Sequence, residues 1–213
     1  MRVTDKLRED VRVAVVELEK TTSGELVCVV APASARYMLF PVIWAAIIAL
    51  ALPLLNPLLD AAGQEPVVSF PVQSVVFIGT ALLFLYTPLR LCVTPRSVQD
   101  SNCRRTAFEQ FFRRRLHNTQ HRTGVLLFVS AEEHHVELVA DQGISEKVSP
   151  AEWDAVLDAF AADLKAGKGH EGFIKAISAC KAILSKYCPE LPPGGKNELD
   201  DRLVELPEPQ VIN

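Results

Sequence analysis

Charge is missing from two long stretches of this 213-residue chain, residues 37–59 and 66–89. Each run is about 23 residues, and a helix rising ~1.5 Å per residue needs only about 20 to cross a bilayer. Motifs that announce a reaction are missing too. There is no HExxH, no paired-cysteine ligand set, no glycine-rich phosphate loop and no nucleophile elbow. The five cysteines (Cys28, Cys92, Cys103, Cys180 and Cys188) are scattered and odd in number. Nothing in that pattern suggests a disulfide framework, which suits a reduced cytoplasm. The net charge of -4 argues against nucleic acid as a global partner.

What is present is a pair of apolar runs joined by a short acidic link, Asp60 to Glu65. Core helices of a protein this size rarely run so far without charge, so a transmembrane hairpin is expected. A cleaved leader is not expected, because a charged amphipathic segment precedes the first run and a second run follows it. Arg36 precedes the first span, and Arg90, Arg96, Arg104 and Arg105 follow the second. The link carries only Asp60 and Glu65 as charges. The positive-inside rule then places both termini in the cytoplasm, with two spans in the plasma (inner) membrane. The absence of ionisable residues within the spans argues against an ion or solute pathway.

The rest of the chain is patterned like a soluble domain. Thr4 is an N-cap for a helix with Leu7, Val11, Ala14 and Leu18 on one face. Residues 25–31 form a β-branched run that reads as a buried strand, closed by Pro32. After the second span, Pro95 and Ser97 open a helix whose apolar stripe is Phe108, Phe111, Phe112 and Leu116, running out around His117 to His121. Residues 124–130 and 136–140 read as strands joined by a turn at Glu132-Glu133, so they pair antiparallel. Ser149-Pro150-Ala151-Glu152 has capping-box spacing ahead of Trp153, Val156, Leu157, Phe160 and Leu164. Gly167 and Gly169 close that helix, and Phe173, Ile177, Cys180 and Leu184 mark the last one.

A lone strand before the hairpin has no partner in its own half. The expected fold class is therefore α/β: a small mixed β-sheet covered by helices and interrupted by a two-helix transmembrane hairpin. The first two strands run parallel and the third antiparallel. The expected divisions are a discontinuous cytoplasmic domain (1–36 and 95–188), the hairpin (37–90) and a flexible tail (189–213). Within the tail, residues 202–206 offer an edge strand.

This order of elements resembles a known family. The carriers are Thr22-Ser23-Gly24-Glu25-Leu26-Val27-Cys28-Val29, the helix end Leu116-His117-Asn118-Thr119, the hairpin from Thr123-Gly124 to Gly143-Ile144, a Trp-containing helix, and a last helix around Gly172-Phe173. Together they resemble the TPM domain family, and within it the bacterial branch in which two membrane spans interrupt the domain. The resemblance implies an α/β sandwich. It also implies a role beside membrane complexes, as for relatives linked to photosystem repair and receptor modulation. Phosphatase activity and divalent-metal binding, proposed for plant members, are implied as well. This chain departs from the pattern at the shortened turn Asp141-Gln142-Gly143 and at Glu132-Glu133-His134-His135.

Phosphoryl hydrolysis needs a nucleophile or metal-held water and positive charge for the phosphate oxygens. Asp141, at a strand end before a glycine, is the candidate carboxylate, with Glu25 or Glu133 as its companion; the alternative is that Asp141 caps a turn. His117 and His121 have the spacing to face a divalent metal from one helix, with Asp141 as a further ligand; the alternative is surface placement. Arg104, Arg105, Arg113, Arg114, Arg115 and Arg122 form the clearest charge cluster. Docking to anionic lipid is expected of it rather than nucleic-acid binding. The expected function is a non-enzymatic accessory or interaction protein with a membrane-protein partner. The alternative is a metal-dependent phosphatase-like hydrolase.

Overall fold

Residues 25–31 and 124–130 are apolar on alternate positions of both parities, and the fold buries both faces of both strands. A computed structural model describes residues 3–63, 69–119, 121–189 and 202–209. In chain order the elements are α1 (Asp5–Glu19), β1 (Glu25–Ala31), α2 (Leu39–Ala51), a 3₁₀ turn (Leu52–Leu55), α3 (Asn56–Ala61), α4 (Phe70–Tyr86) and α5 (Leu89–Cys92). Then follow α6 (Arg96–Arg113), a second 3₁₀ turn (Leu116–Asn118), β2 (Gly124–Ser130), β3 (His135–Ala140), α7 (Gln142–Ser145), α8 (Pro150–Lys165), α9 (Gly169–Tyr187) and β4 (Val204–Glu205). They divide into two compact units, Met1–Ala35 with Asp100–Asn213, and Arg36–Gln99.

The first unit is a mixed four-stranded sheet in the order β3-β2-β1-β4. β1 and β2 run parallel from Glu25↔Gly124 to Ala31↔Ser130. β2 and β3 are antiparallel from Val125↔Ala140 to Ser130↔His135. The tail adds β4 parallel to β1 at Val29↔Val204 and Val30↔Glu205. Leu206 donates its N–H to the Val30 carbonyl at 2.8 Å. Of the tail expected to be loose, residues 190–201 and 210–213 lie outside the described residues.

The period-2 alternation splits the sheet between two cores. Leu26, Cys28, Val30, Val125, Leu127 and Val129 face α1, α8 and α9, whose apolar stripes supply Leu7, Val11, Val15, Leu18, Phe160, Phe173 and Leu184. Val27, Val29, Leu126, Phe128 and Val139 face α6 and its following turn through Cys103, Ala107, Phe111 and Leu116. Covering both faces is why the central strands lack any polar alternation. Fully burying one such large side chain contributes roughly 1.5–3 kcal/mol.

The helix signals act as read, with shifts that packing explains. Thr4 Oγ1 accepts from the Leu7 N–H at 3.2 Å, and Val15 rather than Ala14 completes the buried stripe of α1. Ser149 and Glu152 form the capping box of α8. Gly167, at φ 75°, ends α8, but Gly169 opens α9 instead of closing its predecessor. In α6 the expected stripe is half right: Phe111 and Leu116 are buried, whereas Phe108 and Phe112 are exposed. Small residues, Cys103 and Ala107, take the inner positions because the helix lies close on the sheet.

The second unit contains a continuous helical run, Leu39–Ala61, long and apolar enough to cross a membrane. Pro53 sits in its 3₁₀ turn, where a missing N–H is tolerated. The other apolar helix, α4, has 17 residues, about 26 Å at the usual rise, against a hydrocarbon core of about 30 Å. α2 and α4 pack on each other. Ala45, Ala49 and Ala81 are buried while Leu54 (76%) and Phe70 (80%) are widely exposed. The hydroxyls of Ser74, Thr80 and Thr87 each donate to the carbonyl four residues earlier, at 2.9, 2.6 and 2.6 Å. These three hydroxyls are thus satisfied by carbonyls of α4 itself. Asp60 of the link is described; Glu65 lies outside the described residues.

Candidate functional site

The hairpin register sorts the candidate residues between opposite ends of the sheet. At the end where β1 and β2 begin and β3 finishes stand Glu25, Gly124 and Asp141; the Asp141 N–H donates to the Gly124 carbonyl at 2.9 Å. Glu133 lies at the other end, in the turn after Ser130. Seven residues of strand separate the two ends, about 20 Å at ~3.3 Å per residue. Glu133 therefore does not join Asp141, whereas Glu25 shares its end of the sheet.

Asp141 is only 4% exposed and caps α7. Its Oδ1 accepts from the Gln142 N–H at 2.7 Å and from Arg122 Nη2 at 3.0 Å; its Oδ2 accepts from Arg122 Nε at 2.7 Å. Burial pushes this carboxyl up, but Arg122, the Gln142 amide and the charge of His117 outweigh it and hold it below the usual aspartate value. The guanidinium is reached through a strained loop: Arg115 and Arg122 have φ of 58° and 55°. That loop passes so close that a Cβ on Gly143 would lie 2.6 Å from the Arg122 carbonyl oxygen, and one on Gly124 2.4 Å from that of Leu116.

The same loop separates the two histidines. α6 ends at Arg113, and Arg115 turns the chain into the 3₁₀ turn that carries His117. His121 is exposed in the turn beyond. The expected single helix face presenting both imidazoles is not formed, because the backbone reverses to bring Arg122 onto Asp141. His117 packs instead against the Phe112 ring, centroids 5.2 Å apart. Among the described residues no group of three or more His, Cys, Asp and Glu side chains could hold a metal ion.

Glu133 is also 4% exposed, and a backbone amide and two hydroxyls are among its partners. Its Oε1 accepts from the Ser34 N–H at 2.8 Å and the Ser34 hydroxyl at 2.6 Å, and its Oε2 from the Ser130 hydroxyl at 2.5 Å. Cys103 of α6 donates to Ser34 Oγ at 3.3 Å. Burial pushes the Cys103 thiol up to about 12, which makes it inert as a nucleophile. Nearby on the α6 face, His135 contacts Glu137 at 3.1 Å and Asp100 at 3.2 Å. The hydrogen bond to Glu137 raises its pKa above the ordinary histidine value against the lowering effect of burial.

Of the arginine cluster, Arg104, Arg105, Arg113 and Arg115 are exposed and Arg114 is half-buried. Arg105 lies 3.2 Å from Glu109, and Arg104 3.8 Å from Glu137. Sequence reasoning missed the partners rather than the carboxylates. Arg122 could have been found: extending the β2–β3 register beyond Gly124 sets it across from the turn after β3. Ser34, Ser130 and Cys103 carried no comparable signal, since they converge from three separate segments.

A mixed sheet with α1, α8 and α9 on one face and α6 on the other defines an α/β sandwich. Residues 89–183 match the model of the TPM domain. The matched range holds β2, β3 and the helices around them, while the central strand β1 lies before it in the chain. The solution structure of the BA42 protein from the psychrophilic bacterium Bizionia argentinensis is similar, with a TM-score of 0.60 and 18% identity over 96% of each chain. At that identity the likeness is one of fold. No curated protein matches the chain by sequence.

Proposed function

We propose that this protein is a membrane-anchored accessory protein whose TPM domain binds a membrane-protein partner and performs no chemistry. The observation that carries this reading is the engagement of Asp141. Both of its oxygens are committed to Arg122 and to the α7 cap. A divalent cation there would face a guanidinium already seated on the carboxylate. The described residues as arranged do not fit a metal. Asp141 instead fastens the 116–123 loop to the end of the sheet.

The anchor in this proposal is a two-span hairpin, residues 37–90, with both termini cytoplasmic. Support comes from the charge-free runs, the outward apolar side chains of α2 and α4, and the arginines flanking both runs. α4 alone is short for a span, and the charge-free residues on either side of it would make up the length. A reporter fused to the C-terminus should be active only in its cytoplasmic form; activity only outside the cytoplasm would overturn the orientation.

One observation favours a second reading, a phosphatase-like hydrolase: Glu25 and Asp141 share one end of the sheet beside a cationic group. Purified protein assayed on a generic phosphate ester with Mg²⁺, Mn²⁺ or Ca²⁺ separates the two. No turnover is expected with any of the ions. Turnover that disappears in Asp141→Asn would replace the accessory reading with the hydrolytic one.

A further inference from the structure

α6 carries an outer face that stays largely exposed. Phe108 is 40% exposed and Phe112 57% exposed, although both are large aromatics on an ordered helix. They stand four residues apart and so share one face. Arg104 lies on the same face, its guanidinium 5.9 Å from the centre of the Phe108 ring. Arg105, Arg113 and Arg115 flank the pair in sequence and are exposed; Glu109 is the exposed acid among them. The inner face of the helix is fully accounted for by Cys103, Ala107 and Phe111 against the sheet.

We propose that this face, Phe108 and Phe112 ringed by Arg104, Arg105, Arg113 and Arg115, docks onto an anionic bilayer surface, with the two rings entering the headgroup boundary. The inference rests on the membrane-anchored reading and adds a second, peripheral contact to it. Charge selects the occupant. Arginines around two aromatic rings match an apolar surface rimmed by negative headgroups, which is what an anionic leaflet presents. Each arginine attracts the leaflet electrostatically, and the rings supply apolar burial that charge alone would not. Chain connectivity favours the encounter, because α6 begins at Arg96, soon after the second apolar run ends at Leu89.

The test uses the full chain in nanodiscs, with Cys92→Ser to remove the exposed thiol and Phe112→Cys carrying a nitroxide. Collisions with oxygen, which partitions into lipid, are compared with those of a water-soluble nickel chelate. Discs of phosphatidylcholine alone are set beside discs in which a third of the lipid is phosphatidylglycerol. The expected result is a several-fold rise in the oxygen-to-nickel ratio in the anionic discs. That rise should be abolished by high salt and by replacing Arg104, Arg105, Arg113 and Arg115 with Gln. A nitroxide at Val13, exposed on α1, should show no such rise. A ratio at position 112 that ignores lipid charge would overturn the proposal. So would shielding that grows with protein concentration, which would mean a protein occupant. Failure of the chain to enter discs at all would instead sink the membrane-anchored reading, and the two failures are distinguishable.

Discussion

Two buried carboxylates, Asp141 and Glu133, close opposite ends of the same sheet by different chemistry. Asp141 is met by a guanidinium whose own side chain is 53% exposed. Glu133 is met by a backbone amide and two hydroxyls. The first arrangement places part of a charge pair in water, where screening reduces its worth to about 1 kcal/mol. The second joins several buried donors to one residue, so its removal takes an acceptor from each of them. The end that resembles an active site is thus the more weakly fastened, and the end without a catalytic signature carries the heavier structural duty.

The largest effect should come from Glu133→Ala. Stranding the Ser34 amide and the Ser34 and Ser130 hydroxyls should cost about 3 kcal/mol in denaturant melts of the micelle-solubilised protein. An effect below that of Asp141→Asn would break the comparison. Next comes Gly124→Ala, whose methyl would meet the Leu116 carbonyl oxygen at 2.4 Å. Overpacking of this kind should cost about 2 kcal/mol, seen in the same melts and in faster amide exchange of the loop up to Arg122.

Asp141→Asn should cost only about 1 kcal/mol, since an asparagine still caps α7. Because the Asp141 pKa is depressed in the fold, its stabilisation is complete above the ordinary aspartate value of about 3.9 and is lost as pH falls through the folded value. The wild-type protein should therefore lose stability in acid faster than the asparagine variant. Equal acid limbs for the two would show that the ion pair contributes nothing. The smallest effect belongs to His135, whose pKa is raised in the fold. Its contribution is complete below about 6.5 and fades as pH rises through the raised value. NMR titration of the imidazole should place its midpoint above the ordinary histidine value of about 6.5; a midpoint at or below that value would exclude the Glu137 and Asp100 contacts in solution.

Much of the fold could be read from residues 25–31 and 124–130, because runs apolar on both faces demand cover on both sides. The capping box at Ser149 and Glu152 and the N-cap at Thr4 were equally legible, being local and stereochemically specific. The outer face of α6 was not. Periodicity marks a stripe as apolar without saying which side meets the sheet, and Cys103 and Ala107 won the inner positions by size. The loop 114–122 was illegible for a different reason. Arg115 and Arg122 adopt left-handed backbone that arginine does not advertise, so pattern alone carries the helix on until it runs out around His117 to His121. The candidate carboxylates were recognisable as types, but their separation followed only once the register of β3 on β2 was known.

The account depends most on lipid surrounding residues 37–90 while the sheet closes from segments on either side. Cells expressing the full chain, broken and washed with alkaline carbonate, test this directly. The protein should remain in the membrane pellet and be released only by detergent. Recovery of a monodisperse chain in the carbonate supernatant would contradict the account.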